Sequence, residues 1–227
     1  MRISIITLFP AVFDPILNSS ILKRAQKKDL VEFEITNLRR FGEGKHQIVD
    51  DRPYGGGAGM ILRADILAAA LKSVVSKLPT TNYQLLTILT SASGKPYKQA
   101  VAQRLSKFNH LIIVCGHYEG VDQRFIDQYV SEEISIGDYV LTGGEIPAMV
   151  IVDSVVRLTP GVLAKEEATK NESFAEGLLE YSQYTRPEEF EGKKVPQVLL
   201  SGNHKKIAKW REDKSIEKTK KIRSDLL

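Results

Sequence analysis

The sequence predicts an α/β fold: a mainly parallel sheet with helices on both faces, followed by a small helical C-terminal domain. Three observations carry this expectation. Short β-rich apolar runs alternate with segments of helical spacing along most of the chain, which is the pattern of strands joined by crossover helices. Glycine-flanked turns follow several of those runs, and a sheet of this kind binds its ligands beyond the carboxyl ends of its strands. After Thr159-Pro160-Gly161 the pattern gives way to a polar stretch and then to a basic tail.

Taken in order, Ile3–Leu8, Val31–Asn37, Leu85–Thr90 and Leu111–Cys115 read as strands, with a further one at Glu133–Ile136. Ala64–Lys77 places Ile66, Leu67, Ala70, Leu71, Val74 and Val75 on one amphipathic helix, and Tyr97–Phe108 and Val121–Tyr129 are shorter versions of it. Glu145–Leu158 is largely apolar and reads as a buried helix. Lys165–Ser173 has no buried periodicity. These patterns divide the chain into a domain at 1–160, a linker at 161–173 and a helical domain at 174–227. In the last, Leu178, Leu179, Tyr181, Val198 to Leu200, Ile207 and Trp210 are expected to form a modest second core.

Composition narrows the function classes. With 227 residues, 42% hydrophobic and 26% charged, the chain suits one good core and a small appendage. The single cysteine, Cys115, excludes an internal disulfide framework, argues against structural zinc and fits a reducing compartment. The opening Met1-Arg-Ile-Ser-Ile-Ile-Thr-Leu-Phe-Pro10 mimics a short signal peptide, but Pro10 and Asp14 interrupt it. No apolar run is long enough to cross a bilayer, so a cytoplasmic protein without a membrane partner is expected. The net charge of +4 is local, because residues 203–227 hold nine Lys/Arg against four Asp/Glu. That tail reads either as a solvated helix or as a nucleic-acid contact surface.

Three segments are candidates for chemistry. Tyr54-Gly-Gly-Gly-Ala-Gly59 frees the backbone to turn sharply or to approach a ligand, yet it matches neither a phosphate-binding P-loop nor the dinucleotide fingerprint. Arg52 before it suits a phosphate or a partner in Asp50 or Asp51. Val114-Cys-Gly-His-Tyr-Glu-Gly120 leaves an apolar strand and enters a turn. There Cys115 reads as a buried structural thiol rather than a nucleophile, and His117 as a turn residue. Ile136-Gly-Asp-Tyr-Val-Leu-Thr-Gly-Gly-Glu145 reads as an ordinary turn or as a backbone cradle for a nucleoside-bearing cofactor.

Together with Leu8-Phe-Pro10, Asp50-Asp-Arg-Pro-Tyr-Gly-Gly-Gly-Ala-Gly-Met60, Ser173-Phe-Ala-Glu-Gly-Leu-Leu179, Tyr184-Thr-Arg-Pro187 and Leu199-Leu-Ser-Gly-Asn-His204, these segments closely resemble the bacterial tRNA (guanine-N1)-methyltransferase family. That family belongs to the SPOUT class, so the resemblance implies a deep trefoil knot in the sheet, which periodicity cannot reveal. It further implies S-adenosylmethionine as methyl donor, held by Gly116, Tyr118, Glu119 and Gly120 with Ile136, Gly137, Asp138, Tyr139, Val140, Leu141, Gly143 and Gly144. A homodimer with a shared active site and a tRNA substrate, methylated on the guanine immediately 3′ of the anticodon, are implied as well.

Guanine N1 carries a proton at neutral pH, so the reaction needs a base for that proton and a cation for charge building on O6. By motif position the base is Glu172 and the cation Arg157; without the resemblance Arg157 reads as a surface or cap residue. Two positions depart from the family. Glu172 stands where the family has aspartate, and the extra methylene displaces the carboxylate by about 1 Å, a shift worth on the order of 100-fold in rate if nothing compensates. Thr90-Ser-Ala-Ser-Gly94 replaces a proline-containing turn, which leaves Ser91, Ala92 and Gly94 as weaker cofactor candidates than the rest. The departures raise one rival, a tRNA-binding protein on the same scaffold with weakened catalysis. No metal-ligand cluster is evident, and a divalent ion assisting proton transfer stays open.

Overall fold

A computed structural model describes residues 1–77, 84–165, 169 and 172–227. The chain divides into two compact units, Met1–Ala164 and Lys165–Leu227.

In the first unit the chain runs from β1 (Arg2–Thr7) through a 3-10 turn to α1 (Asp14–Leu17), α2 (Ser20–Lys27) and β2 (Glu32–Asn37). Two short strands, β3 (Asp50–Asp51) and β4 (Ile61–Leu62), pair antiparallel and frame the glycine-rich loop between them. Then come α3 (Ala64–Val75), β5 (Leu85–Pro96), α4 (Gln99–Leu105), β6 (His110–Cys115), α5 (Gln123–Tyr129), β7 (Glu132–Ser135) and α6 (Glu145–Val156). The five long strands form one sheet in the order β2-β1-β6-β5-β7, with every pairing parallel.

Strand periodicity sorts the core into two layers. Ile3, Ile5, Ile88, Leu111, Ile113 and Cys115 face one side with Phe13 and Leu22 and with Ala148, Ile151, Val152 and Val155 of α6. Ile6, Leu89, Ile112 and Val114 face the other, with Ile66, Leu67, Leu71 and Val74 of α3 and Phe125 of α5. Both faces are therefore covered, which is why these strands read as nearly continuous apolar runs.

Predicted strand and helix ends agree with the observed ones to within three residues, with one informative exception. The strand expected to end at Thr90 continues to Pro96 after a register shift: Thr90 and Lys95 both pair with Ile134. Residues 91–94 are thereby thrown out of the ladder as a bulge. Gly94 permits it, since a Cβ there would lie 2.5 Å from the Ile134 amide nitrogen. The short helices α1 and α2 carry too few apolar positions to stand out from periodicity alone.

The second unit contains a two-residue hairpin, β8 (Glu189–Phe190) with β9 (Lys193–Lys194), then α7 (Gln197–Leu200) and the long α8 (His204–Ile222). Asn203 caps α8 by accepting from the Lys206 amide at 3.1 Å. The expected second core is not formed: among the described residues of this unit no hydrophobic side chain is buried, and Leu178, Leu179, Ile207 and Trp210 are only half-buried. A unit this small has too little apolar surface to enclose one. Of the linker expected at 161–173, residues 166–168, 170 and 171 lie outside those described.

Candidate active site

The bulged stretch Leu89–Ser93 of β5 and the turns that follow β6 and β7 contribute to a single cavity of about 500 Å³. That volume is in the range of small-ligand pockets. Thr90 ties two of the turns together. Its buried hydroxyl accepts from the Gly116 amide at 3.3 Å and lies within hydrogen-bonding distance of the carbonyls of Val114 (3.3 Å) and Gly144 (3.2 Å). Gly144 in turn donates its amide to the Gly116 carbonyl at 2.7 Å, and His117 bridges Gly143. Gly144 is obligatory at this crossing, because a Cβ would strike the Thr90 hydroxyl and stand 2.6 Å from the Gly116 nitrogen.

The loop between β6 and α5 is braced from two sides. Glu119 donates its amide to Met60 at 3.0 Å, and Leu62 donates to Gly120 at 2.9 Å, so the glycine-rich loop 54–59 abuts it. Gly59 has φ +83° and sits where a Cβ would run into the Glu119 side chain. Tyr118 holds φ 59°, a conformation that a non-glycine residue seldom adopts, and its amide donates to Nδ1 of His117 at 2.8 Å. Beneath the turns, buried Glu145 accepts from the Thr7 hydroxyl at 2.7 Å. Burial, with the Glu145 charge beside it, pushes the Cys115 thiol well above its ordinary range, so it is no nucleophile.

Of the residues expected around a cofactor, Ser91, Ala92, Gly116, Tyr118, Glu119, Gly120, Ile136, Gly137, Tyr139, Val140, Leu141, Gly143 and Gly144 all line this cavity. Asp138 does not; it is exposed and lies outside the lining, as does Gly94. Thr90 is a lining residue that sequence reasoning misses, since its pattern shows only the end of a strand. The lining holds the carboxylates Glu119 and Glu133 and, among the described residues, no lysine or arginine. Such a pocket disfavours a phosphate-bearing nucleotide and suits a cation.

Arg157 caps the C-terminus of α6, its amide donating to the Asp153 carbonyl at 3.1 Å, and it is not a lining residue of the cavity. Glu172 belongs to the second unit, where it borders a smaller cavity of about 350 Å³ with Leu179, Tyr181 and Arg211. The cavity of the first unit thus gathers every cofactor candidate except Asp138 and Gly94, and neither Glu172 nor Arg157. Among the described residues no group of three or more His, Cys, Asp or Glu side chains could hold a metal ion. Also among them, no helix is long and apolar enough to cross a membrane.

The family model described as tRNA (Guanine-1)-methyltransferase TrmD matches residues 1–227. A tRNA (guanine-N(1)-)-methyltransferase of Geobacter sp. (strain M21) is 51% identical over all of this chain and 90% of its own length. Proteins with the same name from Geobacillus kaustophilus (strain HTA426) and Clostridioides difficile (strain 630) are 52% and 50% identical, over 91% and 97% of their lengths.

Proposed function

The chain belongs to the tRNA (guanine-1)-methyltransferase family, and from that premise we propose that the first unit holds S-adenosylmethionine in the cavity beyond β5, β6 and β7 while the second unit supplies base and RNA contacts. The enzyme methylates N1 of a guanine in tRNA. Full-length identity of about half to proteins of that name favours catalysis over a binding-only role on the same scaffold. The guanine immediately 3′ of the anticodon is the proposed target, and the cytoplasm the proposed location.

One observation carries the cofactor reading: the cavity is bordered by glycine-bearing turns and holds two carboxylates but, among the described residues, no lysine or arginine. Adenine and ribose need close backbone donors and acceptors, which the turns at Gly116–Gly120 and Ile136–Gly144 present. A sulfonium and an ammonium group suit Glu119 and Glu133. Bound there, S-adenosylmethionine supplies an electrophilic methyl group. Glu172 takes the guanine N1 proton, and the Arg157 guanidinium stabilises charge developing on O6. The interlocked turns of Thr90, Gly116 and Gly144 support the knotted sheet of the family. A homodimer sharing its active site between subunits completes the reading, with 174–227 as the tRNA-binding domain. Equilibrium binding tests the cavity: S-adenosylmethionine should bind the wild-type protein and ATP should not, whereas equal affinity for both would overturn the assignment.

A further inference from the structure

Thr219 is fully buried, and no other described residue of the second unit is. It sits near the end of α8, a helix otherwise rich in lysine. Its hydroxyl donates to the Ser215 carbonyl at 2.7 Å, which uses its one proton and leaves its lone pairs for an acceptor role. The Leu179 amide fills that role, donating to Thr219 Oγ1 at 2.9 Å. One residue earlier, Lys218 Nζ donates to the Glu180 carbonyl at 3.0 Å. The helix therefore grips two consecutive residues of the 172–180 segment by their backbone.

The gripped segment is closed on itself. The Glu180 amide donates to Ser173 Oγ at 2.9 Å, Phe174 to the Leu178 carbonyl at 2.8 Å, and Ala175 to the Glu172 carbonyl at 3.2 Å. Phe174 holds φ 73°, which a bulky side chain adopts only where its surroundings enforce it. Its ring faces the Arg223 guanidinium at 5.8 Å, a further tie to the end of α8. Glu172 is the first residue of this loop.

We propose that Thr219 is a positioning residue: through Leu179 and the Ser173–Glu180 closure it fixes the loop that aims the Glu172 carboxylate at the guanine N1 proton. The inference rests on Glu172 being the base. It gives α8 a second task beyond presenting lysines to RNA, since the helix that docks the substrate also sets the base, and a longer glutamate side chain needs a firmly held backbone.

The test is methyl transfer to a tRNA transcript by the full chain, comparing Thr219→Val, Thr219→Ser, Ser173→Ala, Glu172→Ala and the Thr219→Val/Glu172→Ala double variant. Thr219→Val should lower kcat about 10- to 100-fold, the range for a sub-ångström to ångström misplacement, with KM for tRNA and cofactor affinity unchanged. Thr219→Ser should restore the rate, and Thr219→Val should add no loss to Glu172→Ala. A wild-type kcat in Thr219→Val, or an equal further loss on top of Glu172→Ala, overturns the proposal. If circular dichroism shows Thr219→Val unfolded, Ser173→Ala decides: lowered kcat at unchanged KM supports the clamp, and a full rate refutes it. Full activity of Glu172→Ala would remove the base assignment itself, a result distinct from an inactive Glu172→Ala beside a fully active Thr219→Val.

Discussion

The two units hold their shape by different means. In the first, isoleucine, leucine and valine pack on both faces of a parallel sheet, and the cavity turns are locked by glycines at which a Cβ would collide with backbone. In the second, among the described residues, only Thr219 is buried, and the loop carrying Glu172 is held by hydrogen bonds to a charged helix. A pocket that selects its ligand by close approach is built where packing is dense. The proposed base stands on a loop whose described ties are hydrogen bonds rather than buried apolar contacts, so each of those bonds weighs more.

The sharpest way to break this contrast is to remove the side chain on the weakly packed unit. Glu172→Ala should lower kcat by at least about 100-fold and leave S-adenosylmethionine affinity intact by calorimetry, because the cavity proposed for the cofactor belongs to the other unit. Loss of cofactor binding in that variant would contradict the division of labour. The converse change is Gly144→Ala. A Cβ at this crossing overpacks the site at a cost of about 1–3 kcal/mol, which should raise the S-adenosylmethionine Kd roughly 5- to 150-fold and lower the melting temperature. Unchanged affinity would mean that the Thr90–Gly116–Gly144 crossing does not shape the cavity.

Smaller effects sharpen the comparison. Replacing Lys205, Lys206 and Lys209 at the start of α8 by alanine should weaken tRNA binding and reduce the slope of log Kd against log salt by about one for each phosphate no longer neutralised. Smallest is a pH effect confined to the first unit. Burial, and then the Arg2 charge, push the His110 imidazole down from 6.5 to about 4, with Ser4 Oγ at 2.9 Å from its Nε2 and the Glu34 carboxylate opposing the shift. The native state holds this ring neutral while the unfolded chain protonates it. The corresponding stability is complete above pH 6.5 and declines as pH falls toward about 4. Thermal melts of the wild type should fall between pH 6.5 and 5, and His110→Gln should flatten that slope.

Much of the first unit was legible because its signals are local. Buried parallel strands give continuous apolar runs, and α3 gives a clean amphipathic stripe. The bulge at Ser91–Gly94 was not, since it depends on where β7 pairs across the sheet, and a strand cannot announce its partner's register. The ordered glycine motifs at Gly116–Gly120 and Ile136–Gly144 located most of the cavity lining, although Asp138, embedded in the second of them, is not part of it. Thr90 carries no local signal because its role is a link to residues 24 and 54 positions away. Thr219 was hidden for a similar reason: a threonine amid lysines carries no periodic signal, and only the fold reveals that its hydroxyl receives the Leu179 amide.

The most direct test is transfer of tritiated methyl from S-adenosylmethionine to two tRNA transcripts that differ only in the base immediately 3′ of the anticodon. Label should appear as N1-methylguanine in the transcript with guanine there and be absent from the one with adenine. Equal labelling of both transcripts, or labelling of neither by a folded protein that binds S-adenosylmethionine, would contradict the proposed function.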